Sequence, residues 1–103
     1  MQLNIDFICH ATFLLNLDGT KILFDPWFIG SAFNNQWHLF PKPIDSDREK
    51  INNPDYILIS HGHEDHLHEE SLRCLSKNAK IFYPYTWVDD SKHYFKEMGF
   101  NNI

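Results

Sequence analysis

The chain has few of the residues that mark several large classes of protein. Its 103 residues include only two cysteines, Cys9 and Cys74. We interpret both as small apolar core residues rather than as a disulfide or a nucleophile. No apolar run approaches the roughly 18 residues that a membrane-spanning helix needs, and no basic leader precedes one. A soluble cytoplasmic protein is therefore expected.

Positive charge is also scarce. Nine lysines and arginines stand against 14 acidic residues, which gives a formal net charge of −5. The basic residues are scattered, so they create no field that would attract a phosphate backbone. The composition therefore predicts no nucleic-acid partner bound through charge, and the partner expected is a small-molecule substrate.

Apolar residues, in contrast, are plentiful. Hydrophobic residues make up 43% of the chain and aromatic residues 16%, which is ample for a core. A chain of 103 residues can form a domain with its own core, and this length predicts one domain or less. An exposed apolar face that favours association is therefore expected.

Alternation and turn residues predict an α/β order of elements. Two apolar runs flank Asp18-Gly19, a strong hairpin signal. The predicted strands are 3–8, 11–17, 21–24, 56–59 and 80–83, and the predicted helices are 69–76 and 90–98, with a break at 84–86 between the last strand and the last helix. Residues 25–53 are predicted to form a long loop with a short helix near 46–51. Strand, helix, strand, helix is typical of parallel crossovers.

The most informative segment follows the apolar run at residues 56–59. It packs His61, His63, Asp65 and His66 into six positions. Imidazole nitrogen and carboxylate oxygen are the ligands that hold zinc, iron or manganese in proteins. These four residues are the candidate metal ligands, with a solvated polar loop as the alternative.

The spacing of these ligands predicts a loop site. Zincin proteases place two histidines four apart on one helix, whereas Gly62 here loosens the backbone between closely spaced ligands. One pair of side chains can serve one metal, while Asp65 and His66 serve a second. Two metals suit hydrolysis, because one lowers the pKa of water from about 15.7 toward ~7 and the other holds the substrate oxygen.

Several nearby residues have two open interpretations. Asp25 either orients a metal-bound histidine or caps a turn before Pro26. His10 either borders the site or is a structural residue. We expect a role near the metal or at the surface for His68, which precedes a helix, and solvent exposure for Glu64. The aromatic residues of the long loop either cover the core or line a substrate mouth.

The motif resembles that of a known family. The sequence His61-Gly-His63-Glu-Asp65-His66 is similar to the His-x-His-x-Asp-His motif of the metallo-β-lactamase fold superfamily. Residues 10–15 and 21–27 resemble the opening strands of the branch related to ascorbate-6-phosphate lactonase and N-acyl-phosphatidylethanolamine phospholipase D. The resemblance implies that residues 1–103 form the N-terminal half of an αββα sandwich, a partial domain.

Residues 25–33, with Gln36-Trp37 and Pro41-Lys42-Pro43, resemble CMP-N-acetylneuraminate hydroxylase-like proteins. In those proteins a domain of this fold accompanies a Rieske iron–sulfur module. Cys9 and Cys74 do not supply the paired Cys and His loops of a Rieske cluster. An oxygenase partner would therefore lie on another segment or chain.

In this superfamily, further ligands on later strands complete the metals: two histidines and a bridging aspartate. His93 reads as one position of an amphipathic helix and is not assigned to that role. The resemblance therefore implies four ligands here, completed by a second copy or a complementing C-terminal half.

Three functional hypotheses follow. The first is a metal-dependent hydrolase with two divalent ions, zinc before iron or manganese. Metal-bound hydroxide is its nucleophile, Asp65 its catalytic residue, and a phosphorylated compound or lipid its preferred substrate. The second is an iron-dependent, oxygenase-associated domain, and the third a non-catalytic truncated or split module.

Overall fold

The computed structural model describes residues 1–84 and 91–103. These residues form five strands in succession, followed by helices and strands in alternation. The elements are β1 (Leu3–Cys9), β2 (Thr12–Leu17), β3 (Thr20–Phe24), β4 (Ser31–Ala32), β5 (Trp37–His38), α1 (Asp45–Ile51), β6 (Tyr56–Leu58), α2 (Glu69–Arg73), β7 (Lys80–Phe82) and α3 (Ser91–Glu97).

Five of the strands form one mixed sheet in the order β1, β2, β3, β6, β7. The first three are antiparallel neighbours, since two tight turns join them. Strands β3, β6 and β7 run parallel, so the predicted crossover through α2 is confirmed. The carboxyl ends of β3 and β6 consequently lie side by side, and the next residues of both strands meet at one edge.

The register of the sheet separates its two faces. Leu14, Leu23, Ile57 and Ile81 occupy one cross-strand row and are at most 3% exposed. Helix residues, among them Leu72 and Phe95, belong to the same buried cluster. This face therefore carries the core.

The opposite face is apolar but largely uncovered in the described part of the chain. Its central rows join Phe7 to Phe13 and Phe24, and Ile5 to Leu15 and Ile22. Ile5 and Phe7 are each 63% exposed. The exposed apolar face expected from the composition is thus observed.

The long segment from residue 25 to 53 is more structured than predicted. It contains α1 together with β4 and β5, a two-stranded antiparallel pair that the sequence did not predict. Strands of two residues are too short for alternation to reveal them. The predicted strand at 80–83 ends one residue early, at Phe82. The predicted break includes Thr86 and the predicted last helix begins at Asp90, and both residues lie outside the described part of the chain.

One cysteine prediction is confirmed and the other is wrong. Cys9 is buried at 3% exposure, and its thiol donates to the carbonyl of Trp27. Cys74 is exposed, because α2 ends at Arg73 and the cysteine caps it on the outer side. Within the described residues, no helix is long and apolar enough to cross a membrane.

Candidate metal centre

The predicted metal motif lies in the loop that follows β6. Ile59 anchors the start of this loop, being 1% exposed and bonded through its amide to the carbonyl of Phe82. The loop then folds back on itself, because the amides of His66 and Leu67 both donate to the carbonyl of His63. A helix-like turn therefore presents the motif side chains at the sheet edge.

Gly62 makes a close approach to Tyr83. A Cβ atom at this position would lie 2.9 Å from the hydroxyl oxygen of Tyr83. A larger residue would have to displace that ring or the loop. The glycine thus lets the motif loop lie against the residue that follows β7.

The four sequence-predicted ligands are neighbours, but in the described residues only Asp65 and His66 belong to a group of three donors within 4.8 Å, and His61 and His63 lie beside that group. The ring centroids of His61 and His66 are 4.1 Å apart, and those of His61 and His63 are 4.7 Å apart. Nε2 of His66 lies 3.3 Å from Oδ2 of Asp65. His63 is exposed, whereas Asp65 is buried. The loop therefore gathers three imidazoles and one carboxylate within a small volume.

Asp25 supports this cluster from the end of β3. Its Oδ1 accepts the backbone amide of Ser60 at 2.7 Å. Its Oδ2 accepts the hydroxyl of Ser60 at 2.7 Å and Nδ1–H of His66 at 2.8 Å. The carboxylate is 8% exposed, and its residue adopts a left-handed backbone conformation with φ of 44°. The sequence left two interpretations of Asp25 open, a turn cap or a residue that orients a histidine, and the geometry matches the second.

These hydrogen bonds assign the tautomers of two histidines. Because a carboxylate only accepts, His66 donates from Nδ1 and its Nε2 is left unprotonated in the neutral ring. The single hydroxyl proton of Ser60 goes to Asp25, so Oγ of Ser60 accepts from Nδ1 of His61, 2.8 Å away. Both rings therefore turn a bare Nε2 away from this network. Ser60 was missed in the sequence, where a serine before a histidine carries no signal.

The donor chemistry fits a cation at this place. In the neutral His66 ring, the lone pair of Nε2 faces the negatively charged Oδ2 of Asp65 across 3.3 Å. Two acceptors at this distance repel each other unless a proton or a metal ion lies between them. A metal-bound histidine usually donates its other nitrogen to a carboxylate, as His66 does to Asp25.

His10 joins the cluster from the turn between β1 and β2. Its Nε2 lies 2.9 Å from Oδ2 of Asp65 and donates to it. The ring packs edge-on against Trp27, with centroids 4.9 Å apart. His10, Asp65 and His66 together offer three ligand atoms within 4.8 Å of one another. His10 therefore borders the site. A single histidine beside a cysteine forms no recognisable ligand pattern, so the sequence left this role open.

The surroundings of Asp65 favour its ionised form. Burial opposes ionisation, but the hydrogen bond from His10 and the electrostatic interaction with His66 together outweigh it, so the pKa of Asp65 is lowered from its ordinary value. The carboxylate is consequently ionised at neutral pH and able to accept hydrogen bonds or hold a cation.

His68 has neither the metal-adjacent nor the surface role expected for it. It is 3% exposed, and its Nε2–H donates to the carbonyl of Ser31 at 2.8 Å. Its Nδ1 receives the hydroxyl and the amide of Ser71. The prediction failed because the start of α2 turns this ring into the core, where it caps the helix. Glu64 is exposed as expected.

The aromatic loop is divided between the two roles considered for it. Trp27 and Phe28 are buried at 1% and 4% exposure and cover the core. Trp37 is half exposed, and its ring centroid lies 6.3 Å from that of His10. An open groove of about 480 Å³ also reaches this area, lined by Ile5, Phe7, His10, Ala11, Thr12, Phe13 and Asp25. The candidate centre thus adjoins the uncovered apolar face.

The sequence profile of a known family spans almost all of this fold and site. The profile described as the beta-lactamase superfamily domain matches residues 4–101. The chain therefore belongs to this superfamily, as the motif resemblance predicted.

Curated relatives point to the subfamily that residues 25–43 resemble. A protein of Mycolicibacterium smegmatis named for a Rieske 2Fe-2S iron–sulfur cluster is 32% identical over 102 residues, 98% of this chain and 20% of that protein. The cytidine monophosphate-N-acetylneuraminic acid hydroxylase of Cricetulus griseus is 38% identical over 76 residues, 74% of this chain and 14% of the enzyme. The chain thus spans a fifth or less of these relatives.

Solved structures share the fold. CmlA, a diiron β-hydroxylase from Streptomyces venezuelae, superposes with a TM-score of 0.71 at 19% identity, covering 98% of this chain and 20% of that chain. A metallo hydrolase from Ignicoccus hospitalis gives 0.60 at 23% identity, covering 98% and 38%. The fold is therefore of the metallo-β-lactamase type, and its neighbours include both hydrolases and a diiron hydroxylase.

Proposed function

We propose that this chain supplies the metal-binding loop of a metal-dependent hydrolase of the metallo-β-lactamase superfamily. His61, His63, Asp65 and His66 are the proposed ligands of two divalent ions, with zinc preferred. The observation that carries the proposal is the hydrogen-bonded chain from His61 through Ser60 and Asp25 to His66. In the neutral rings it leaves Nε2 of both histidines unprotonated, which is the form that binds metal.

The chemistry divides between the metal and the side chains. When bound, such ions lower the pKa of water toward neutrality and polarise a substrate oxygen. Asp65, ionised and 6% exposed, would accept a hydrogen bond from the attacking water and orient it. Asp25 and Ser60 would hold the two imidazoles in position. The open groove beside His10 is apolar along Ile5, Phe7 and Phe13, which suits a substrate with an apolar part.

A second candidate function is supported by the relatives. An iron-dependent domain that works beside a Rieske module agrees with the 32% identical protein named for such a cluster and with the sialic acid hydroxylase. The donor set does not separate the two, because imidazole and carboxylate hold iron as well as zinc. The identity of the metal would distinguish them.

Metal content tests both candidates. We would measure zinc, iron and manganese by mass spectrometry on untagged protein, together with the native mass, for the wild type, His61→Ala and Asp65→Ala. His93→Ala is the matched control, because His93 is exposed on α3 and pairs only with Glu97 among the described residues. We expect near-stoichiometric metal in the wild type and the control, and a large loss in the two loop variants.

Turnover completes the test. Phosphodiester, lactone and ester substrates would be assayed with the metal that the protein retains. Zinc with hydrolysis supports the first candidate, and iron without hydrolysis supports the second. Equal metal content in all four proteins would contradict the ligand assignment, and bound metal without either chemistry would favour a non-catalytic module.

A further inference from the structure

We propose that His10 is a direct metal ligand, which holds one divalent ion together with Asp65 and His66. This inference rests on the proposed function, since it adds a donor to that site. His10 lies 55 residues before Asp65 in the sequence and outside the His-x-His-x-Asp-His motif. The site would then draw on the β1–β2 turn as well as on the loop after β6.

The spacing of the three donor atoms supports a shared ion. Two donors bound to one metal at about 2.1 Å lie about 3.0 to 3.4 Å apart at octahedral or tetrahedral angles. Oδ2 of Asp65 lies 2.9 Å from Nε2 of His10 and 3.3 Å from Nε2 of His66. Both distances are close to that range, and all three donor atoms lie within 4.8 Å of one another, so side-chain movements that bring the two imidazoles together would accommodate an ion.

The electrostatics point to the same place. Oδ2 of Asp65 faces both imidazole nitrogens, while Asp25 already occupies the far side of the His66 ring. A divalent ion would satisfy Oδ2 and both nitrogens at once, and the proton on Nε2 of His10 would leave to solvent. Two imidazoles and one carboxylate are a donor set used by catalytic zinc and by non-haem iron(II).

The fold holds His10 in an uncommon conformation that faces the cluster. Its φ is 53°, in the left-handed region where a residue other than glycine carries strain. The hairpin turn imposes this conformation, and Trp27 packs against the ring from the side. The His10 side chain is 33% exposed, against 9% for Asp65, so an ion can reach the site from solvent.

The variants must preserve this backbone conformation. Glycine adopts positive φ without strain and asparagine adopts it readily, so His10→Gly and His10→Asn remove the imidazole while keeping the turn. Alanine would add strain of its own. His93→Gly is unsuitable inside α3, and His93→Asn therefore serves as the matched control.

Two measurements decide the question. The first is zinc affinity by calorimetric or chelator competition, which we expect to fall about 100-fold or more in both His10 variants, beyond the usual loss of a residue that only supports a ligand. The control should keep wild-type affinity. The second is nitrogen NMR of zinc-loaded protein labelled at histidine. Nε2 of His10 should carry no proton and should show the shift of a metal-bound nitrogen.

The outcomes separate this inference from the proposed function. Loss of affinity in both variants together with an unprotonated Nε2 supports His10 as a ligand. Wild-type zinc binding with a proton retained on Nε2 of His10 overturns the inference and leaves the proposed function intact, with His10 only positioning Asp65. Failure of the wild type to bind zinc, iron or cobalt overturns both.

Discussion

Nδ1 of His66 lies 2.8 Å from Oδ2 of Asp25, although 41 residues separate the two in the chain. Parallel pairing of β3 with β6 creates this contact, because Asp25 and the motif loop both begin where these strands end. Asp25 also accepts two hydrogen bonds from Ser60. One buried carboxylate therefore orients the motif from outside it.

Replacing Asp25 should weaken metal binding without removing a ligand. Asparagine tolerates the left-handed conformation at this position, so Asp25→Asn alters the charge with little strain. Loss of the charged acceptor frees the tautomer and orientation of His66, and zinc affinity should fall about 10- to 100-fold. Competition with a zinc chelator measures this.

Asp45→Asn is the control for that experiment, since Asp45 is exposed in the first turn of α1. It should bind zinc like the wild type. Unchanged affinity in Asp25→Asn would show that His66 does not need this partner.

The ionisation of Asp65 should depend on His10 in metal-free protein. The folded state lowers the pKa of Asp65, so the stability linked to it is present above the unfolded pKa, about 3.9. It is lost as the pH falls through the lower folded pKa. In His10→Asn, the pKa of Asp65 should rise and acid unfolding should begin at a higher pH. Carboxyl carbon NMR titration measures the first effect, and an unchanged pKa would refute the contribution of this hydrogen bond.

The two thiols should differ in reactivity. Burial, with a smaller contribution from the negative charge of Asp47, raises the pKa of Cys9 to about 11. At pH 8 only about one part in a thousand of that thiol is then ionised. Cys74 is exposed. A disulfide reagent should label one thiol per folded chain and two in denaturant.

Cys74→Ser should abolish labelling of the folded chain, and rapid labelling of this variant would show that Cys9 is accessible. The raised pKa of Cys9 also predicts how the free energy of unfolding changes with pH. Between about pH 9 and 11 the unfolded thiol ionises first, so the free energy of unfolding should decrease as the pH rises through this range.

Replacing His68 should destabilise the fold and spare the metal site. His68→Ala removes the donor to the part-buried carbonyl of Ser31 and the acceptor of the buried hydroxyl of Ser71, which keeps only its bond from the amide of Phe28. The free energy of unfolding should fall by about 2 to 4 kcal/mol, from the lost hydrogen bonds and cap. Urea unfolding measures this. Zinc affinity at low temperature should match the wild type, and a parallel loss of affinity would place His68 in the site after all.

Most of the sheet and helices could be predicted from the sequence, because the signals for them come from residues that are close together in the chain. Alternation marks β1 to β3, and Asp18-Gly19 marks the turn between β2 and β3, because these signals involve residues close in the chain. The four motif residues could be predicted as neighbours for the same reason. The pairing of β4 with β5 could not be predicted, because a strand of two residues is too short to show an alternation of apolar and polar side chains.

The support around the motif was harder to predict, because it depends on contacts across the fold. Asp25 and His10 reach the motif only after β1, β2, β3 and β6 are in register. Ser60 donates its hydroxyl proton to Asp25 and accepts a hydrogen bond from His61, an arrangement that no residue pattern encodes. The burial of His68 follows from its position as the N-cap of α2, and the exposure of Cys74 follows from its position at the C-terminal end of that helix.

Strand β1 combines two features that together favour association between copies. It is an edge of the five-stranded sheet in the described part of the chain, and its side chains Leu3, Ile5 and Phe7 lie uncovered in water. Natural sheets protect such edges with charges, prolines or bulges. Here the register shift between Phe7 and Cys9 interrupts only the final residues. Asp6, at the centre of β1, is the one charged residue of this strand, so a single carboxylate opposes strand-to-strand growth between copies at this edge.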